Sequence, residues 1–388
     1  MSQKLIYLDN AATSYPKPEQ VYAAVDRSMR EGGSAGRGAH KLAMDAARQV
    51  FDARNSIAQF LGCHGERLVF TPGCTHSINY VLKGIPLELG DTVVVSALEH
   101  NSIMRPLHQL VRTKKINVAV LPYSAGEIVG KASLRDALKS LKPKLCALTH
   151  GSNVTGEMLN LEVVAEICRD QNVPLLIDAA QTAGREQGVL SHKGITFWAA
   201  SGHKGLFGPS GIGVLYVNPR FDLEPLIAGG TGSASEKLEV PAEYPDHLEP
   251  GTVATHNIAG LAAGVEFVKE TGPKTIQEHE ERLMKRFLEW CRSNPQINTF
   301  GQISSNKRLP LLSFDCRALT PDRVADMLDT EYGIAVRAGL HCAAQAHKTL
   351  GTTKRGTVRA SFGFFNTDGD VEALCTALAT LTRHATLA

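Results

Sequence analysis

The sequence predicts an α/β protein with a large domain built on a mostly parallel sheet and a smaller α+β domain after it. Three observations carry this. Short apolar runs recur at 68–70, 92–95, 118–121, 145–148, 175–177, 197–199 and 213–217, and they read as buried strands. Helical patterns at 103–111 and 161–168 separate several of them, and β-α alternation is how parallel strands are joined. Near 250–260 the alternation stops and a different pattern begins.

Taken in order, 18–31 reads as an amphipathic helix: Pro18 suits its first turn, Val21, Val25 and Met29 form a stripe, and Gly32-Gly33 end it. A second helix spans about 45–61 and stops at Gly62. The strand–helix repeat follows. The last third offers a long charged helix at about 276–291 and a strand at 311–314. A helix at 321–328, strands at 334–336 and 357–362, and a final helix from 371 complete it. The large domain is therefore placed at 15–255, and the small one at 256–388 together with 1–14. No internal repeat or low-complexity linker separates them.

A chain of 388 residues can bury two such cores. Its net charge of +2, without a run of five like charges, points to neither nucleic acid nor a membrane surface. The N-terminus lacks the apolar core of a signal peptide, and no apolar stretch is long enough to span a bilayer, so a cytoplasmic location is expected. The eight cysteines include no Cys-x-x-Cys pair. A metal site built from local cysteines is not expected, and neither are disulfides.

Chemistry-bearing residues collect at the predicted strand ends, where open α/β sheets bind ligands. After 68–70 comes Thr71-Pro72-Gly73-Cys74-Thr75, a turn opening a helix, whose free N–H groups can hold a phosphate. Alone, it also reads as a simple cap. Asp178 ends a buried strand and needs a cationic partner, unless it only caps a loop. Lys204, in Ser201-Gly202-His203-Lys204, follows the next strand. Partial desolvation there would make it a Schiff-base former; otherwise it is a surface lysine.

Asp178-Ala179-Ala180-Gln181 followed by Ser201-Gly202-His203-Lys204 resembles the signature of the class V aminotransferase superfamily, whose members use pyridoxal 5′-phosphate (PLP). More closely, the chain is similar to the cysteine desulfurases and selenocysteine lyases. The likeness runs from Tyr7-Leu8-Asp9-Asn10-Ala11-Ala12-Thr13 to Arg359-Ala360-Ser361-Phe362-Gly363 and on to Thr367. The resemblance implies a homodimer with a fold like aspartate aminotransferase, and PLP held on Lys204. Asp178 would pair with the pyridine nitrogen, Gln181 and Asn153 would reach the phenolic oxygen, and His100 would stack on the ring. Cys74, Thr75, Ser201 and His203 would bind the phosphate, which Thr252 would complete from the partner subunit.

The sulfur chemistry turns on Cys342, in Arg337-Ala338-Gly339-Leu340-His341-Cys342-Ala343. A Gly-containing loop with Arg and His nearby can expose a thiol and favour its thiolate, although a buried loop cysteine fits equally well. The segment is similar to the short cysteine loop of the second group of desulfurases. Leu340 stands where that loop has a first histidine, and Cys74 where a threonine is common. The resemblance makes Cys342 the acceptor of substrate sulfur, as a persulfide. It makes Arg359 the clamp for the substrate carboxylate, with Ala11, Asn153 and His341 around the substrate. The implied reaction takes L-cysteine to L-alanine and passes the sulfur to an acceptor protein, with iron–sulfur cluster assembly among its uses. A selenocysteine lyase acting on L-selenocysteine, another class V β-eliminating enzyme, or a retired PLP-fold scaffold are the alternatives.

Overall fold

The computed structural model describes residues 5–36, 38–124, 126–233, 236–302, 308–317 and 319–387. In chain order the elements are β1 (Ile6–Tyr7), α1 (Glu19–Glu31), α2 (Lys41–Leu61), β2 (Leu68–Thr71), α3 (Cys74–Gly84), β3 (Thr92–Ser96), α4 (Asn101–Lys114) and β4 (Asn117–Leu121). Next come α5 (Lys131–Leu141), β5 (Leu145–Thr149), α6 (Leu161–Asp170), β6 (Leu175–Asp178), β7 (Phe197–Ser201), β8 (Gly213–Val217) and α7 (Thr255–Thr271). The last third contains α8 (Pro273–Ser293), β9 (Ile297–Phe300), β10 (Leu311–Cys316), α9 (Pro321–Tyr332), β11 (Ile334–Ala335), β12 (Arg337–Gly339), α10 (Ala344–Thr349), β13 (Thr357–Ser361) and α11 (Asp368–Leu387).

Seven strands form one sheet in the order β2-β8-β7-β6-β5-β3-β4, and only β8 runs antiparallel to its neighbours. The mostly parallel α/β sheet read from the sequence is what the chain builds. Alternate residues of each strand enter two cores. Val94, Leu148, Ile177 and Trp198 face one side, while Val93, Ala147, Leu176 and Phe197 face the other. Burial on both faces is why these strands read as apolar runs. Because β2 and the parallel strands share a direction, Thr71, Ser96, Thr149, Asp178 and Ser201 all end at one edge of the sheet.

A second, antiparallel sheet has the order β12-β13-β10-β9. Its core combines Phe314 and Val358 with Phe287 of α8, Val324 of α9 and Leu374 of α11. The N-terminal segment joins this part through β1, which pairs in parallel with β11. The strand expected at 334–336 is divided: 334–335 pairs with β1, and 337–339 pairs with β13. The cysteine loop thus springs directly from a sheet strand.

The helix at 255–271 is absent from the sequence reading. Its small residues leave little amphipathic contrast, because it packs closely on several sides. A Cβ on Gly264 would lie 2.3 Å from the Leu206 carbonyl, and one on Gly260 would lie 2.6 Å from Val25. Its Ile258, Leu261, Val265 and Val268 belong to the large-sheet core. The stripe on α1 is only partly buried, since Val21 is covered and Met29 is 66% exposed.

Candidate active site

Asp178 closes β6 with only 3% of its surface exposed. Its carboxylate accepts hydrogen bonds from Ala180 N–H (2.9 Å), Ser102 Oγ (3.0 Å) and Cys74 Sγ (3.3 Å). All three donors are neutral, and a buried carboxylate so held still attracts a cation. Lys204 lies close enough to feel that charge. Burial pushes its amine pKa down, while the charge of Asp178 opposes that shift.

The lysine loop is fixed by the N-terminal segment. Thr13 Oγ1 and Lys17 Nζ donate to the His203 carbonyl at 3.0 and 2.7 Å, and Ser14 Oγ donates to the Lys204 carbonyl at 3.0 Å. Burial lowers Lys17 itself to about 8.

His100 caps α4. Its Nδ1 accepts the Ser102 N–H at 3.0 Å and lies 2.9 Å from Ser102 Oγ, which reaches Asp178. An accepting Nδ1 places the proton of the neutral ring on Nε2. Burial lowers the pKa of this imidazole and so favours that neutral form.

The phosphate turn lies between β2 and α3. The His76 N–H already donates to the Gly73 carbonyl at 2.9 Å, so the amides that α3 can turn to an anion are those of Cys74 and Thr75, with the Thr75 side chain exposed beside them. Gly213 pairs with both Thr71 and Ser201. A Cβ there would come within 2.6 Å of Gly73 Cα, so only glycine lets the two turns meet. His203 is pushed down to about 4 by burial and by Lys204, and its Nδ1 has no partner. Cys74 departs from expectation. Its thiol turns inward to Asp178, so what it offers a phosphate is its backbone N–H.

Asn153 and Gln181 also have other partners: their amides donate to the carbonyls of His341 (2.7 Å) and Ala11 (2.9 Å). Thr252 is exposed, in the turn that follows Gly251. That turn is anchored by Glu249, which accepts from Arg54 (2.6 and 2.8 Å) and from Phe70 N–H (2.5 Å).

Cys342 is exposed, whereas Cys74, Cys146, Cys168, Cys291 and Cys316 are buried. It sits in a short loop between β12 and α10. His341 and Cys342 have φ of 47° and 58°, a strained region for side-chain-bearing residues. The loop is tied down by Asn153 and by Asn101 N–H, which donates to the Cys342 carbonyl at 2.8 Å. Arg337 Nη2 lies 3.6 Å from the sulfur. The His341 ring turns into the protein instead, 2.9 Å from Thr357 Oγ1, and burial holds it well below the usual histidine range.

Arg359 is 1% exposed. Its Nη2 pairs with Asp9 at 2.7 Å and its Nη1 donates to the Asn153 carbonyl at 3.1 Å, leaving Nε without a partner. The site therefore includes residues the sequence reading passes over. Ser102 looks like the start of an ordinary helix. Asp9 and Lys17 lie far from the site in sequence, and Arg337 enters only as a neighbour of Cys342.

A buried carboxylate on neutral donors, a desolvated lysine beside it, and a helix-start cradle closed by Gly213 fit the pyridine nitrogen, aldehyde and phosphate of PLP. The Aminotransferase class-V family matches residues 6–374. A Pyrococcus abyssi protein named probable cysteine desulfurase is 35% identical, with 96% of this chain and 93% of that protein aligned. The cysteine desulfurase of Thermococcus onnurineus NA1 superposes with a TM-score of 0.92 at 31% identity, over 98% of this chain and 95% of that one. The Escherichia coli cysteine desulfurase CsdA, solved as an S-sulfonic acid, gives 0.84 at 30% identity, over 97% and 94%.

Proposed function

Because the chain belongs to the Aminotransferase class-V family, and within it to the cysteine desulfurases, we propose that it takes sulfur from L-cysteine onto Cys342 and releases L-alanine. It is a PLP-dependent cysteine desulfurase. The observation that carries the assignment of Cys342 is the anchoring of its loop. Asn101 N–H, next to His100, holds the Cys342 carbonyl and the Asn153 amide holds that of His341, so the loop of the exposed thiol is tied to the segment whose His100 and Ser102 lead to Asp178.

When bound, PLP supplies an electron sink for the pair released at the substrate Cα. Lys204 would hold it and Asp178 would face its pyridine nitrogen, with Ser102 and Ala180 keeping that carboxylate in place. His100, Asn153 and Gln181 would line it. Thr75, Ser201, His203 and the Cys74 N–H would receive its phosphate, with Thr252 contributed by the partner subunit.

Arg359 would bind the substrate carboxylate through Nε and a shared Nη, beside Ala11. Lys204, kept toward its neutral form by burial, takes the Cα proton. The Cys342 thiolate then attacks the substrate sulfur. A new S–S bond forms, the Cβ–S bond breaks with its electron pair left on the carbon side, and protonation at Cβ followed by return of the proton from Lys204 to Cα gives alanine. Arg337 places positive charge next to the attacking sulfur. His341, turned to Thr357, contributes to the loop's shape.

Exposed Leu42, Met44 and Phe51 on α2 support a homodimer. We also propose a cytoplasmic compartment, where thiols stay reduced, and a thiol acceptor for the sulfur, with iron–sulfur assembly as one use. A core of its own on the second sheet supports a small domain of 256–388 with 1–14 beside a large one of 15–255, with α7 lending its apolar face to the large-sheet core. The test is direct. With PLP, L-cysteine and dithiothreitol, alanine and sulfide should form in equal amounts; cysteine left unconsumed would refute the reading.

A further inference from the structure

From the groove that borders the cysteine loop, we infer that the sulfur on Cys342 leaves to an acidic, thiol-bearing protein segment docked along the outer face of α4. This rests on the persulfide reading of Cys342. The groove has a volume of about 640 Å³ and runs between α4 and the start of α10. Asn101, Met104, Arg105, His108 and Arg112 form one wall, and Ala344 and Gln345 the other. Arg105, His108 and Arg112 are spaced by three and four residues, which sets them on one face of the helix, and all three are exposed. No carboxylate lines the groove among the described residues.

The groove and the thiol are joined physically. Asn101, at one end, donates its N–H to the Cys342 carbonyl at 2.8 Å, and Ala344 lies two residues beyond the cysteine. Leu340, 37% exposed, adds an apolar contact on the same loop. Thr349 of α10 donates to the Ala97 carbonyl at 3.0 Å, which ties α10 to the segment leading into α4. An extended acidic segment would therefore find fixed positive charge leading to the sulfur. Arg105 and Arg112 present guanidinium groups to the groove, and such a field raises encounter rates for an acidic partner.

The transfer balances without an external oxidant. The acceptor thiol gives up its proton, and its sulfur attacks the outer sulfur of the Cys342 persulfide. A new S–S bond forms on the acceptor, the old one breaks, and Cys342 leaves as a thiolate.

Two synthetic peptides of equal length test this, one with a cysteine flanked by glutamates and one with a cysteine flanked by lysines. The full-length PLP-loaded enzyme is charged with L-cysteine, and sulfur transfer to each peptide is timed at low salt and at about 0.5 M salt, where exposed charges are screened. The acidic peptide should react about tenfold faster at low salt, with the difference lost at high salt. An Arg105→Glu/Arg112→Glu variant should lose or reverse the preference while forming alanine with dithiothreitol within about twofold of wild type. Equal rates for the two peptides at low salt, or a preference unchanged in the variant, overturn the docking inference alone. Failure of the wild type to form a persulfide on Cys342 overturns the underlying reading, and the inference falls with it.

Discussion

Replacing Arg359 by lysine separates its two jobs. In the protein, Nη2 pairs with Asp9 at 2.7 Å, Nη1 supports the Asn153 carbonyl at 3.1 Å, and Nε is unpartnered. A lysine ammonium keeps the charge and can keep Asp9, but it cannot also present a second arm to a substrate carboxylate. One charge-assisted hydrogen bond is worth about 1.5–3 kcal/mol. Arg359→Lys should therefore raise KM for cysteine by roughly ten- to hundredfold, with a smaller change in kcat and unchanged PLP affinity. Arg359→Ala should in addition leave Asp9 without its counter-ion, costing stability on the order of 3 kcal/mol, because Asp9 is only 19% exposed. Steady-state alanine release, absorbance titration with PLP and urea unfolding measure the three quantities separately. An Arg359→Lys enzyme with unchanged KM would move the carboxylate site elsewhere.

Three further outcomes follow. Lys204→Ala should remove both the yellow absorbance of bound cofactor and the activity, and a borohydride-reducible cofactor in that variant would contradict the assignment. Burial raises Glu99, held by Ser96 and Thr149, to about 8, so the folded chain keeps a proton that the unfolded chain releases from about pH 4.3. The contribution of Glu99 should be complete below that value and fall by up to about 1.4 kcal/mol per pH unit as pH rises toward 8. Glu99→Gln should flatten this slope, and parallel pH–stability curves for the two proteins would refute the burial argument. Light scattering should show a dimer, and Thr252→Ala should weaken PLP binding by about 1.5–3 kcal/mol; a fully active monomer would refute the shared phosphate site.

The large sheet was legible because its strands are buried on both faces and joined by amphipathic helices, so both periods survive in the sequence. Helix α7 was not, because Gly260 and Gly264 suit close contact on several sides and erase the amphipathic stripe. Strand β9 has a mixed burial pattern at a sheet edge and gives little signal. Lys204, Asp178 and Cys342 are each ambiguous alone, and stood out through their order along the chain and the family resemblance of the motifs that carry them. Their supports did not. Ser102 acts through a hydroxyl at a helix start, and Asp9 reaches Arg359 because the N-terminal segment pairs with β11 and then bridges Ser361 of β13. Such contacts depend on tertiary pairing that no local window contains. The inward turn of the His341 ring and of the Cys74 thiol likewise follows from burial, not from neighbouring residue types.

The most direct test of the account is to find the sulfur. Wild-type enzyme loaded with PLP and given L-cysteine without reductant should carry one extra sulfur on the peptide containing Cys342 by mass spectrometry. Cys342→Ala should bind PLP normally and yield no alanine. An unmodified Cys342 peptide in the wild type, or a Cys342→Ala variant that forms alanine at near wild-type rate, would contradict the claim that this thiol receives the substrate sulfur.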